Sequence, residues 1–122
     1  MGKTQCEIFG VVAYNPELGY HELYELEERL AAGLQGVLEA FGADHVDFWG
    51  MGDALQFRCG LAAYELPTLR EICDAVAPLL TEDATARFVA IDRRLYDVRV
   101  FFIAPNGWRE ERVDMTDRYY LG

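Results

Sequence analysis

Residues 43–63 read ADHVDFWGMGDALQFRCGLAA. Two alternating runs flank Gly50-Met51-Gly52-Asp53, whose glycines suit the dihedrals of a tight turn, so the stretch predicts a β-hairpin. Ala43 to Trp49 and Ala54 to Ala63 are its strands. Pairing Trp49 with Ala54 sets Phe48 against Leu55 and Val46 against Phe57, on one apolar face with Cys59 and Leu61. The other face carries His45, Asp47, Trp49, Gln56 and Arg58. Turn chemistry and alternation agree, and a register that satisfies both is strongly specified.

Upstream, Gln5 to Tyr14 reads as a central strand, because Cys6, Ile8 and Val12 alternate with the partly apolar Glu7, Phe9 and Val11. Asn15-Pro16-Glu17 marks a turn, and a helix follows from about Tyr20 to Phe41, closed by Gly42. Leu23, Leu26, Leu30, Leu34, Val37 and Phe41 form its apolar stripe. His21, Glu25, Glu28 and Glu39 lie nearly opposite, with Glu22 on a flank. Repulsion within Glu22–Glu25 and Glu25–Glu28 costs a few tenths of a kcal/mol per pair. Burial of the stripe contributes roughly 1.5–3 kcal/mol per large side chain. Packing therefore dominates.

Downstream, a second helix is predicted from Thr68, with Glu71 completing a capping box. Its inner stripe is Leu69, Ile72, Cys73, Val76 and Leu80, and Pro78 ends or bends it. A strand from Thr85 to Asp92 follows, then strands Leu95–Ala104 and Trp108–Met115 about Asn106-Gly107, a strong hairpin signal. That register pairs Arg99 with Asp114. It places Val98, Val100 and Phe102 toward the core with Val113 and Met115. Phe88, Phe101, Ile103 and Trp108, interleaved with Arg99, Glu110 and Arg112, are left on the other face.

The expected fold class is α+β: a ferredoxin-like βαββαβ core extended by a C-terminal β-hairpin, an antiparallel sheet with two helices on one face. One domain over 1–122 is expected, with 1–4 and 116–122 as tails. Tyr119-Tyr120-Leu121 is a candidate for covering the sheet.

Charge is lopsided. Thr4 to Asp53 holds ten carboxylates and one basic residue, Arg29, whereas from Ala54 onward eleven carboxylates meet nine arginines; the net charge is −10. A one-signed field steers encounters and rejects like-charged molecules. Conventional nucleic-acid binding, which needs clustered Lys and Arg, is not expected. No apolar run is long enough for a membrane span, no leader precedes the first strand, and a cytoplasmic location is expected.

The chain has no serine, and Lys3 is its only lysine. That excludes serine nucleophiles, the P-loop Lys-Ser/Thr pair and an interior Schiff-base lysine. Cys6, Cys59 and Cys73 are widely spaced without a Cys-x-x-Cys pair, which predicts buried, reduced thiols and no zinc knuckle. His21 and Glu25 resemble half of a helical metal site, but Glu25 stands where a second histidine is needed, so a solvated helix face is expected. His45 beside Asp44 and Asp47 could tune a general base, yet no nucleophile or oxyanion donor accompanies it. Gly50-Met51-Gly52 lacks a following helix and so does not suit phosphate.

The expectation is thus a non-enzymatic binding module without cofactor or metal. Its acidic face, Glu22, Glu25, Glu28 and Glu39, would meet another protein's basic surface, in one version as an inhibitor standing in for nucleic acid. The alternative is a regulatory or small-ligand domain that forms a homodimer through its sheet by Phe88, Arg99, Phe101, Ile103, Trp108 and Arg112. A cofactor-free enzyme using His45 and Asp47 ranks third.

Overall fold

The computed structural model describes residues 4–114. Six strands and two helices follow in the order β1 (Cys6–Tyr14), α1 (Tyr20–Ala40), β2 (Asp44–Gly50), β3 (Ala54–Leu61), α2 (Leu66–Val76), β4 (Ala84–Asp92), β5 (Val98–Ala104) and β6 (Gly107–Arg112). The strands form one antiparallel sheet in the order β2-β3-β1-β4-β5-β6. The protein is therefore α+β, with six strands where a simple βαββαβ unit has four. No helix among the described residues is long and apolar enough to cross a membrane. The tail residues Met115 and Tyr119-Tyr120-Leu121 lie outside the described residues.

Alternation in β1 divides the sheet. Cys6, Ile8, Val12 and Tyr14 are buried, and they share one core with Leu55, Phe57, Cys59 and Leu61 of β3 and Ala86, Phe88 and Ala90 of β4. Both helices close this core, α1 with Leu26, Leu30, Leu34 and Leu38, and α2 with Leu69, Ile72, Cys73 and Val76. Leu38, absent from the expected stripe, replaces Val37 and Phe41 at its buried end; those two pack at the margin. Gly42 ends α1 at φ +83, a conformation that costs other residues more.

Gly10 interrupts the β1 pattern for a packing reason. It pairs with Phe57 across the β1–β3 ladder, and the Phe57 ring lies where a Gly10 side chain would stand. The ring is edge-on to Phe88 at 5.0 Å and tilted against Phe48 at 5.6 Å.

Both hairpins differ from expectation in register by two residues, which preserves faces. In the first, Phe48 pairs with Phe57, and Met51 N–H donates to Ala54 O at 2.8 Å. Gly52, at φ +91, takes the first central position of a two-residue primed turn, so Gly50 remains in the strand. In the second, Ala104 pairs with Gly107 around Pro105-Asn106, and Arg99 pairs with Arg112 and not Asp114. Proline preset for the first central turn position, with glycine closing the turn, outweighs the Asn-Gly signal.

α2 starts at Leu66 with Pro67 in its first turn, not at Thr68, and no side chain caps it, so the Thr68–Glu71 capping box does not form. Proline at a helix start leaves no N–H to satisfy.

The largest correction concerns the two faces of β4 and β5. Phe88, Phe101 and Ile103 are 2%, 1% and 2% exposed and belong to the core beneath α2. Val98, Val100 and Phe102, expected inside, are half-buried on the opposite, helix-free face. Arg99 misled the alternation: it shares the inner face with Phe101, but carboxylates at the rim of the core satisfy it.

Candidate functional site

Three surfaces contain the residues singled out from the sequence. The first is α1. Glu22, Glu25, Glu28 and Glu39 are all exposed on it. Glu25 lies 3.3 Å from His21 Nε2, and Gln35 donates to Glu39 Oε2 at 3.1 Å. Glu28 accepts from Tyr24, whose phenol is held above its ordinary pKa by that bond and by the nearby charge. Glu27 is turned inward instead: it accepts from the Tyr14 hydroxyl at 3.5 Å and packs over Gly50. Edge strand β2 lies beside α1, with Asp44 and Asp47 exposed. Among the described residues none of Glu22, Glu25, Glu28 and Glu39 makes an Arg or Lys ion pair, and no cluster of three potential metal ligands forms.

The second surface is the C-terminal hairpin, where the opposite holds. Arg70 of α2 meets Glu110 at 2.6 Å, and Arg99 bridges Glu110 at 2.8 Å and Asp97 at 2.9 Å. Arg112 adds 2.8 Å to Asp97, and the Tyr64 hydroxyl donates to the same carboxylate at 2.9 Å. Trp108 Nε1–H donates to Asp74 of α2 at 2.7 Å, while its ring packs against Phe101. Burial works against the Asp97 carboxylate, but bonds from Tyr64, Arg99 and Arg112 outweigh it and hold its pKa below the ordinary 3.8. The Arg70 bond, aided by Arg99, outweighs burial at Glu110 and holds it below 4.5. Trp108 and Arg70 thus fasten β6 to α2, while Arg99 and Arg112 tie β5 and β6 to Asp97. With Phe88, Phe101 and Ile103 in the core, this set does not make an open surface.

The third surface is the helix-free face of the sheet, unremarked in the sequence because its residues read as core. Phe9, Val11 and Trp49 are 40%, 38% and 40% exposed, with Val89, Val100 and Phe102 half-buried beyond β1 on β4 and β5. Trp49 Nε1–H donates to Gln56 at 2.9 Å, and Arg87 and Arg109 stack on Phe102. An extra residue in β2 between Asp44 and Asp47 makes a bulge there. It brings both aspartates to this face, where strict alternation had separated them. Within the bulge His45 adopts φ +55.

The thiols are chemically quiet. Burial pushes Cys6, Cys59 and Cys73 each up to about 12, with secondary contributions from Asp92, Cys6 and Asp74 respectively. Thiolate chemistry needs the reverse environment. His45 has no cysteine nucleophile exposed to it, since all three are buried.

No protein-family model matches the chain, and neither do curated proteins or solved structures.

Proposed function

We propose that this chain is a binding module that engages a basic surface of another protein through the acidic outer face of α1. One observation carries the reading: charges are internally matched around the C-terminal hairpin and unmatched along α1. The excess negative field therefore originates on one side, where it accelerates encounter with a cationic partner. Carboxylates along the outer face of one helix present a row of negative charge to a groove built for phosphates, which supports the inhibitor version. A ferredoxin-like scaffold would carry this surface, a reading supported by the strand order β4-β1-β3-β2, with β5 and β6 beyond β4.

Affinity capture from native extract followed by titration of the captured protein tests this. A complex whose affinity falls steeply with salt is expected, and Glu25→Lys with Glu28→Lys should weaken it at least about tenfold, mainly through slower association. Binding unchanged by the double reversal would remove α1 from the interface.

A second reading, a homodimer through the sheet, is favoured by the apolar helix-free face. Six strands about 4.8 Å apart and some seven residues long span roughly 24 by 23 Å. With side-chain relief this approaches the ~800 Å² per partner of a standard interface. That area supports a second copy as the occupant of the face. Sedimentation should show a dimer at micromolar concentration, and Val11→Asp should return it to monomer. A native monomer, or a dimer untouched by Val11→Asp, rejects this reading.

A further inference from the structure

At one corner of the helix-free face lies an open cavity of about 330 Å³, whose chemistry contrasts with the acidic character of the chain. Arg58 of β3 and Arg93, just past the end of β4, line it, together with His45, Phe9, Glu7 and Thr4. Each is placed by a separate backbone device. Arg93 is anchored by its N–H to Gln5 O at 2.9 Å, and its guanidinium reaches Thr4 O at 3.4 Å. Gly60 leaves room for Thr4 to lie over β3, since a Cβ there would stand 2.6 Å from the Thr4 methyl. His45 lines the cavity from within the β2 bulge, at a φ of +55 that favours glycine.

Arg58 is the informative member. Asp47 stands opposite it in the β2–β3 ladder, yet no ion pair joins them, unlike the arginines of the C-terminal network. A guanidinium left without a carboxylate in a carboxylate-rich protein, on the wall of a cavity, is a donor fork awaiting an acceptor. A second guanidinium and an imidazole on the same cavity add donors, and strained backbone at His45 is the kind of feature that persists where it serves a site.

We infer that this cavity binds a small monocarboxylate with an apolar or aromatic body. The sign and size of the charge select the class. Two guanidiniums face the carboxylate of Glu7, with Asp44 and Asp47 exposed on the adjoining β2, so the forks can hold a monoanion while the surrounding carboxylates repel a phosphate dianion. The exposed Phe9 ring offers an apolar wall for the rest of the ligand. The reading is independent of the acidic helix, which lies on another element.

Titration of the full chain with benzoate, followed by amide NMR shifts, tests it. Benzoate should saturate in the millimolar range, with shifts centred on Phe9, Arg58 and Gly60, whereas the neutral isostere benzamide should not. Arg58→Ala and Arg93→Ala should each weaken benzoate about tenfold, and Arg87→Ala, on the same face, should not. Glu7→Gln should raise the affinity for inorganic phosphate relative to benzoate. His45→Gly should raise the urea midpoint by removing the backbone strain and still weaken benzoate several-fold. Non-saturating shifts, equal responses to benzoate and benzamide, or benzoate affinity unchanged in both arginine variants would overturn the inference, with native circular dichroism confirming that each variant is folded.

Discussion

Gly10→Ala is expected to destabilise the protein by about 2–3 kcal/mol, although it adds one methyl group to a strand. The methyl would enter space held by the Phe57 ring. That ring is 1% exposed and boxed by Phe88 and Phe48, so it has no free volume into which to retreat. The sign is opposite to the usual gain from replacing glycine in a strand, where lost backbone entropy favours alanine. Phe57→Leu alone removes ring atoms and should cost about 1–2 kcal/mol. In that background Gly10→Ala should cost under about 1 kcal/mol, because the smaller side chain frees the site. Equilibrium urea unfolding of the four proteins measures the coupling, expected to exceed about 1 kcal/mol. Simple additivity would mean that Phe57 is not what excludes a side chain at Gly10.

Arg99→Met carries the second large effect, about 2 kcal/mol at neutral pH, between the small value of exposed ion pairs and the several kcal/mol of fully buried ones. Arg99 is 20% exposed, and its partners Asp97 and Glu110 are 16% and 18% exposed. Removing it leaves two carboxylates at the rim of the core with less compensation. The pH dependence separates this from lost packing. Asp97 and Glu110 have folded-state pKa values below their ordinary 3.8 and 4.5. Their contribution is therefore fully present above those ordinary values and is lost as the pH falls through the lower folded ones. Wild-type stability should drop on acidification from about pH 5 to about pH 3, and Arg99→Met should drop less. Equal acid sensitivity in the two proteins would show that Arg99 does not act through these carboxylates.

The fold class was legible because its signals were redundant. The long α1 stripe, the paired glycines before β3 and the β1 alternation each pointed to the same arrangement. What misled was β5, where both faces are apolar and the arginine lies on the inner one. Periodicity assigns a charge to solvent, and only the placement of Asp97 and Glu110 beside Arg99 reverses that. The acidic helix face was legible for the converse reason: nothing elsewhere in the fold turns Glu22, Glu25, Glu28 and Glu39 inward. The cavity around Arg58 was not. Its members come from β1, the β2 bulge, β3 and the residue after β4, and no local pattern joins positions so distant in sequence. A hint existed, since alternation puts His45 on the Arg58 face, but nothing in it brings Phe9, Glu7 and Arg93 to the same place.

The position of β1 bears on how the chain is made. Cys6 pairs with Leu61 on one side and Asp92 on the other, so the earliest of these six strands to be synthesised is interior to the finished sheet. A nascent chain can dock β3 against β1 early, but the second edge of β1 stays open until β4 has emerged. During that interval Cys6 to Tyr14 offers unpaired backbone to any neighbouring strand. The penalty falls on folding speed, since contacts this far apart in sequence form slowly. Translation of the stretch from Leu66 to Asp92 thus sets a window in which the half-made sheet is most exposed to pairing with other chains.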